Sequence, residues 1–249
     1  MSDFNYAILD KRAHRPWPMP DRAWVMTQTW HDLLFAHWRV PVGTLRAIVP
    51  SVFPIDTFNG DAWLAVVPFH MSNVGPRFAP SLPWISAFPE LNVRTYVRVD
   101  DKPGVYFFSL DASSAAAVAT ARALLHLPYF TAEMSVTVGR TIEYRSRRTS
   151  APATEFRASY QPSEPPAAPV PGSLEWFLTE RYCLYAIDHL KHPYRLEIHH
   201  PPWPLQRATA DITVNTMTAP IDIALEGPPL LHFSGRQDVV CWRPEVIRR

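Results

Sequence analysis

Twenty-seven prolines spread through 249 residues constrain this chain more than any other feature. Proline fixes φ and removes a backbone donor, so it breaks helix interiors and is confined to the edges and bulges of sheets. The chain is thereby cut into short segments. That argues against a helix bundle and against a doubly wound sheet with long helices. Hydrophobic residues still make up 47%, enough for a sizeable core and too many for disorder.

Residues 1–20 are polar and dotted with Pro16, Pro18 and Pro20, so a surface arm is expected. In Thr27–Val40, Leu33, Phe35, His37 and Arg39 share one strand face, and Leu34, Ala36 and Trp38 the other. Pro41 opens a short helix over Val42–Val49, which Pro50 ends. Phe53–Phe58 and Ala62–Phe69 read as strands around the turn Asn59-Gly60. Arg77–Pro89 is a loop rich in proline and aromatics that either lines the core or lies over a pocket. Leu91–Val99 and Val105–Leu110 are strands. Asn92, Arg94, Tyr96 and Arg98 fall on one face of the first, a face that meets solvent or lines a polar cavity.

Ser113–Leu125 is the strongest helix, alanine-rich with serine caps and stopped by Pro128. Ala132–Val138 and Thr141–Arg147 form a hairpin, residues 161–171 a proline-rich surface loop, and Gly172–Arg181 a short helix. Strands follow over Tyr182–Ile187, Tyr194–His199, Gln206–Thr218 and Leu230–Trp242. The fold class expected is β-dominated α+β: an antiparallel β-barrel or wrapped sheets with a few short helices, in a single domain over 1–249.

A net charge of +1 gives no electrostatic case for nucleic acid or a membrane surface as partner. No apolar stretch reaches spanning length without charge or proline. Asp3, Asp10, Lys11 and Arg12 interrupt any leader-like run. Cys183 and Cys241 are too few for a disulfide framework, so a reducing cytoplasm is the expected location. Of 24 basic residues 21 are arginine, which grips planar anions better than lysine does, although GC-rich coding gives the same skew. The three lysines are Lys11, Lys102 and Lys191.

Ten histidines invite a metal, but no HxH or HExxH spacing is present. Adjacent His199 and His200 face opposite ways on a strand, and His199 reads as packed beside the turn Pro201-Pro202-Trp203-Pro204. No metal is expected. Ser234 lacks a nucleophile-elbow pattern and no glycine-rich phosphate loop exists, so no cofactor is implied. Arg39, between Trp38 and Val40 on a segment expected to be buried, needs an anion: Asp32 or Glu90 in a salt bridge, or a ligand carboxylate. Tyr129 is either a core residue with a satisfied hydroxyl or a phenol pointing into a pocket as donor or general acid. Glu180-Arg181-Tyr182 reads as an exposed helix end with an ion pair, or as polar groups reaching a pocket mouth.

The run Trp38-Arg39-Val40-Pro41 through Val49-Pro50, then Pro89-Glu90-Leu91-Asn92-Val93-Arg94, Gly104-Val105-Tyr106 and Ala121 to Phe130 resembles the acetoacetate decarboxylase superfamily. The phrases at 91–97, 108–111, 171–175 and 179–182 resemble its uncharacterised bacterial YqjF-like branch, DUF2071, over nearly the whole chain. The resemblance implies a barrel with a largely enclosed pocket. In the parent enzymes a lysine of depressed pKa forms a Schiff base with substrate. Its lysine pair follows a proline in the position of Pro128, where this chain has Tyr129-Phe130. Arg39 matches the parent's pocket arginine, and Asn92 stands where the parent has an acid. The expectation is a site for a small organic acid, with Arg39 as anion clamp and Asn92, Arg94 and Tyr129 as polar lining. Schiff-base decarboxylation is not expected. A lysine-independent lyase or hydratase acting on a small keto or hydroxy acid, and a non-enzymatic protein with a closed interior, are the alternatives. Assembly of like subunits stays open.

Overall fold

The computed structural model describes residues 3–77 and 87–247. Its strands are β1 (Met26–Val40), β2 (Ala62–Pro76), β3 (Phe88–Val99), β4 (Lys102–Ala112), β5 (Tyr129–Val138), β6 (Ile142–Arg148), β7 (Glu155–Pro162), β8 (Cys183–Ile187), β9 (Pro193–His199), β10 (Gln206–Asn215), β11 (Leu230–Cys241) and the short β12 (Glu245–Val246). Three short helices, α1 (Val42–Ile48), α2 (Ala115–Leu125) and α3 (Leu174–Thr179), sit between them. The fold is thus β-dominated, as the proline distribution requires. Among the described residues no helix is long and apolar enough to cross a membrane.

The strands form one sheet that closes twice. The order β4-β3-β2-β1-β11-β10-β7-β6-β5 returns to β4 through a parallel β4–β5 pairing, which makes a nine-strand barrel. A second ring, β4-β3-β2-β1-β11-β9-β8, closes because β9 also pairs with β11 and β8 with β4. The two barrels share the wall β4-β3-β2-β1-β11. β4 and β11 are where they part: β4 meets β8 at Val105–Tyr106 and β5 at Leu110–Ala112, while β11 meets β10 at His232–Phe233 and β9 at Val240–Cys241.

Because side chains alternate along a strand, one wall serves two interiors. Leu34, Ala36 and Trp38 of β1, Leu64 and Val66 of β2, and Leu91 and Val93 of β3 pack into the nine-strand barrel against Tyr144, Phe156, Tyr160 and Phe233. The intervening Leu33 and Phe35, Ala65 and Val67 face the seven-strand barrel. Asp32, at φ 48°, marks a bulge in β1 between His31 and Ala36. The bulge shifts the alternation, so that Met26, Gln28 and Trp30 line the same interior as Leu33. A second irregularity, opposite Val93/Arg94, does the same to Phe107 and Leu110 of β4.

Two features hold the seams. Asp111 and Arg148, both fully buried, join β4 to β6 with N–O distances of 2.6 and 3.1 Å, and the guanidinium lies 3.9 Å from the Phe130 ring centre. Gly104 lets β8 approach β4: a β-carbon there would stand 2.6 Å from the Cys183 carbonyl oxygen.

Residues 3–20 lie on the surface as a docked arm, mostly exposed, with Phe4 and Ile8 buried against Trp24, Val240 and Trp242, and Arg15 buried on Glu197 at 3.3 Å. Its few apolar side chains and one arginine find partners on β9 and β11. Several expectations need correction. Phe53–Phe58 makes only isolated bridges, Ile55 to Val97 and Phe58 to Asp61, although the turn at Asn59-Gly60 is present. β7 carries no strand expectation yet completes the nine-strand ring. The loop read over Arg77–Pro89 falls on residues 78–86, outside the described residues, and β3 already begins at Phe88.

Candidate functional site

The seven-strand barrel encloses a cavity of about 100 Å³. Its wall is mostly apolar, with Leu33, Phe69, Phe107, Leu110, Leu196 and Trp203 among the lining residues. Trp203 stacks on Trp30 at 5.8 Å and meets the Phe35 ring edge-on at 4.9 Å.

β3 supplies the polar groups. Glu90, Asn92 and Arg94 alternate with buried Leu91 and Val93 and so point together into the cavity. Arg94 lies with its guanidinium carbon 5.3 Å from the Phe35 ring centre. Its Nε has no hydrogen-bond partner, and no carboxylate among the described residues stands within ion-pair distance of it. Behind it Tyr96 and His37 share a 2.7 Å hydrogen bond. Burial, and then the Arg94 charge, hold His37 well below its ordinary range, so the imidazole is neutral.

A second cation reaches the cavity from the segment after α3. Ser173 caps that helix by accepting from the Trp176 N–H, and the chain then turns Arg181 inward. Arg181 donates to Asp56 Oδ2 at 2.6 Å and to the Phe177 carbonyl at 2.6 Å, while its Nη2 has no partner. Asp56 is shared with Arg98, at 3.1 Å. One carboxylate therefore serves two guanidinium groups.

The opposite charge sign enters through Glu90, which is 4% exposed. No cationic side chain among the described residues pairs with it. Its Oε2 accepts from the Tyr129 hydroxyl at 2.8 Å, and its backbone carbonyl accepts from Tyr144 at 2.7 Å. Burial pushes its carboxyl up to about 7, with hydrogen bonds from Tyr129 and Asn92 pulling the other way. Burial and the Glu90 carboxylate hold the Tyr129 phenol well above its ordinary range, so it stays a donor. Tyr129 reaches this place because α2 crosses from β4 to the parallel β5, with Ser114 capping its start and His126, at φ 49°, ending it.

The structure brings three of the four sequence-derived candidates, Asn92, Arg94 and Tyr129, to one cavity. Arg39 is elsewhere. Its side chain is 69% exposed, pairs with Asp61 at 3.3 Å and lies over the Trp63 ring. It has the same alternation as Phe35 and His37 but sits one step beyond the buried stretch, at the barrel rim, so the expected burial is corrected. Glu90 and Arg181 are the residues that sequence reasoning underused. Glu90 shares the alternation of Asn92 and Arg94 and was readable from it. Arg181 combines both readings of its segment: it is an ion-paired residue after the helix and also a cavity group, buried rather than exposed. Glu180 turns away and accepts from the Trp203 N–H and the Tyr182 hydroxyl.

None of the lysines lines the cavity: Lys102 pairs with Glu197 at 2.8 Å, and Lys11 and Lys191 are exposed. Cys183 and Cys241 are free thiols in the wall, and burial pushes them up to about 11 and about 12. His199 is packed, as its neighbours suggest, with Nε2 2.8 Å from the Ile8 carbonyl. Among the described residues no three His, Cys, Asp or Glu side chains converge closely enough to hold an ion.

This architecture has solved counterparts. Acetoacetate decarboxylase from Legionella pneumophila superposes with a TM-score of 0.62 at 11% identity, over 100% of this chain and 98% of that one. The enduracididine biosynthesis enzyme MppR complexed with pyruvate superposes with a TM-score of 0.61 at 10% identity, over 94% of this chain and 93% of that one. At such identities the likeness shows a shared fold. In sequence, the uncharacterized protein YqjF of Bacillus subtilis (strain 168) is 50% identical over 226 residues, covering 90% of this chain and 93% of that protein. Residues 27–238 match the family described as an uncharacterized conserved protein, DUF2071, and the chain belongs to that family.

Proposed function

We propose that the seven-strand barrel binds a small organic acid, with Arg94 as the anion grip, assisted by Arg181 and Asn92. The observation that carries this is Arg94: a guanidinium facing a mostly apolar cavity with an unpartnered Nε and no protein carboxylate within reach among the described residues. Desolvating such a group is costly unless an anion arrives. Arg181 Nη2 is likewise unpartnered and adds a donor, while the unpartnered Asn92 Oδ1 is an acceptor suited to a hydroxyl of the ligand. An apolar cavity of about 150 Å³ takes benzene, so one of about 100 Å³ suits roughly four to seven non-hydrogen atoms. The pyruvate bound by a protein of the same fold is of that size and charge.

The absence of lysine from the lining argues against imine chemistry and favours binding, or acid–base chemistry, without a covalent intermediate. The cavity in the seven-strand barrel favours a binding site over a wholly closed interior. Thermal unfolding with short carboxylic acids tests the reading. A bound acid at 100 times its Kd adds about 2.7 kcal/mol of stability. Arg94→Ala is expected to abolish that shift. A shift that persists in Arg94→Ala, or no shift with any short acid, overturns the assignment.

A further inference from the structure

We propose that Glu90 is a proton carrier in a carbon-acid reaction: it takes a proton from the carbon next to the carbonyl of a small oxo acid whose carboxylate Arg94 holds. This rests on the organic-acid reading above and adds the reaction.

The placement carries the argument. Glu90, Asn92 and Arg94 stand in one row on β3, with about 6.6 Å between successive same-face positions. An anion grip lies at one end of the row, an amide in the middle and a carboxyl at the other end. An acid anchored at Arg94 lays its carbonyl against the Asn92 amide and the open Nη2 of Arg181, and its next carbon toward Glu90. Glu90 is otherwise hard to account for. A buried carboxyl without a counter-ion costs stability, and Gln or Leu would fill the same space without that cost. Tyr129 engages Oε2 at 2.8 Å, and the carboxylate's remaining lone pairs can take a substrate proton. The carboxyl titrates near neutral pH, where a proton carrier works best.

In the step, the C–H bond breaks and its proton forms an O–H bond with the Glu90 carboxylate. The C–H electron pair becomes the C=C bond, and the carbonyl π pair moves to oxygen as an enolate. Arg181 Nη2 and the Asn92 amide stabilise that oxygen by donating hydrogen bonds. Reversal returns a proton from Glu90 after exchange with solvent, so no further reactant is consumed.

The test is proton NMR of 2-oxobutanoate in deuterium oxide, following loss of the carbon-3 signal, alongside thermal unfolding with the same compound. Wild type is expected to exchange carbon 3 about 100-fold or more faster than Glu90→Gln, while Glu90→Gln keeps the thermal shift. The wild-type rate should rise with pH through about 7 and then level off, since the base form is the carboxylate. Tyr129→Phe removes a hydrogen bond that favours the ionised carboxyl, so its profile should move to higher pH. A thermal shift without exchange above buffer, equal exchange in Glu90→Gln, or an unmoved profile in Tyr129→Phe overturns the role of Glu90 while leaving binding in place. The absence of both shift and exchange sinks the binding reading as well.

Discussion

The two barrels share five strands and differ in what the alternate residues of those strands are. Facing the nine-strand ring are Leu64, Val66, Leu91 and Val93, met by Tyr144, Phe156 and Tyr160 from the far side. Facing the seven-strand ring are Leu33, Phe35, Ala65, Val67 and Phe69, together with Glu90, Asn92 and Arg94. Barrel interiors widen with strand number. Strand number alone would therefore favour the larger ring for a site, yet the cavity described above lies in the smaller one. Aromatics line both interiors, but those of the nine-strand ring pack against one another across the barrel, while in the smaller ring Phe35, Phe69 and Trp203 leave a cavity beside the row Glu90, Asn92 and Arg94. Side-chain choice along a few strands, rather than strand count, decides which barrel carries a site.

The largest expected break in this contrast comes from Glu90. A carboxyl lifted from 4.5 to about 7 holds its proton more tightly in the folded state. The stability that this proton provides is full below the unfolded value and lost as pH rises through the folded one. The loss is on the order of 3 kcal/mol by pH 8. Glu90→Gln should therefore be more stable than wild type at pH 8 and match it at pH 4 in urea unfolding. If it is less stable at both, Glu90 has a structural task and the hollow barrel is not a strained one.

Adjacent residues on β2 sharpen the contrast next. Val66→Phe forces volume into the filled barrel and should cost about 1–3 kcal/mol. Val67→Phe enters the cavity, so it should cost less than about 1 kcal/mol and erase the thermal shift given by a bound acid. Equal costs at the two positions would mean that the interiors do not differ in packing. The smallest effect belongs to Arg39. Its exposed pair with Asp61 predicts that Arg39→Ala changes stability by under about 1 kcal/mol and leaves acid binding intact. Loss of binding in that variant would place the site at the rim instead.

The β-rich class, the short helices and the shared face of Asn92 and Arg94 were legible because they follow from local rules, proline punctuation and alternation along β3, whereas Tyr129 was singled out by the family resemblance at Pro128. The double closure was not legible. It depends on β4 and β11 each pairing with different partners at their two ends, which no local pattern encodes. The bulge at Asp32 was hidden for the same reason, and it is what brings Trp30 onto the cavity face. Arg39 shows the limit of alternation: parity tells which side a residue faces but not how far along the barrel axis it lies. Arg181 depended on a chain reversal after α3 and on Asp56, 125 residues away in sequence.

The position of β11 in both rings bears on how this chain reaches its native state. β1 is among the first strands made, yet its partner across residues 26–37 is the segment 230–241. At 5–20 residues per second, roughly 10–50 s of synthesis separate the two. Until Leu230 and its neighbours emerge, neither ring can shut and one edge of β1 stays open. Both interiors then form only near the end of translation, and a product truncated before β11 would expose the walls of two unfinished barrels at once.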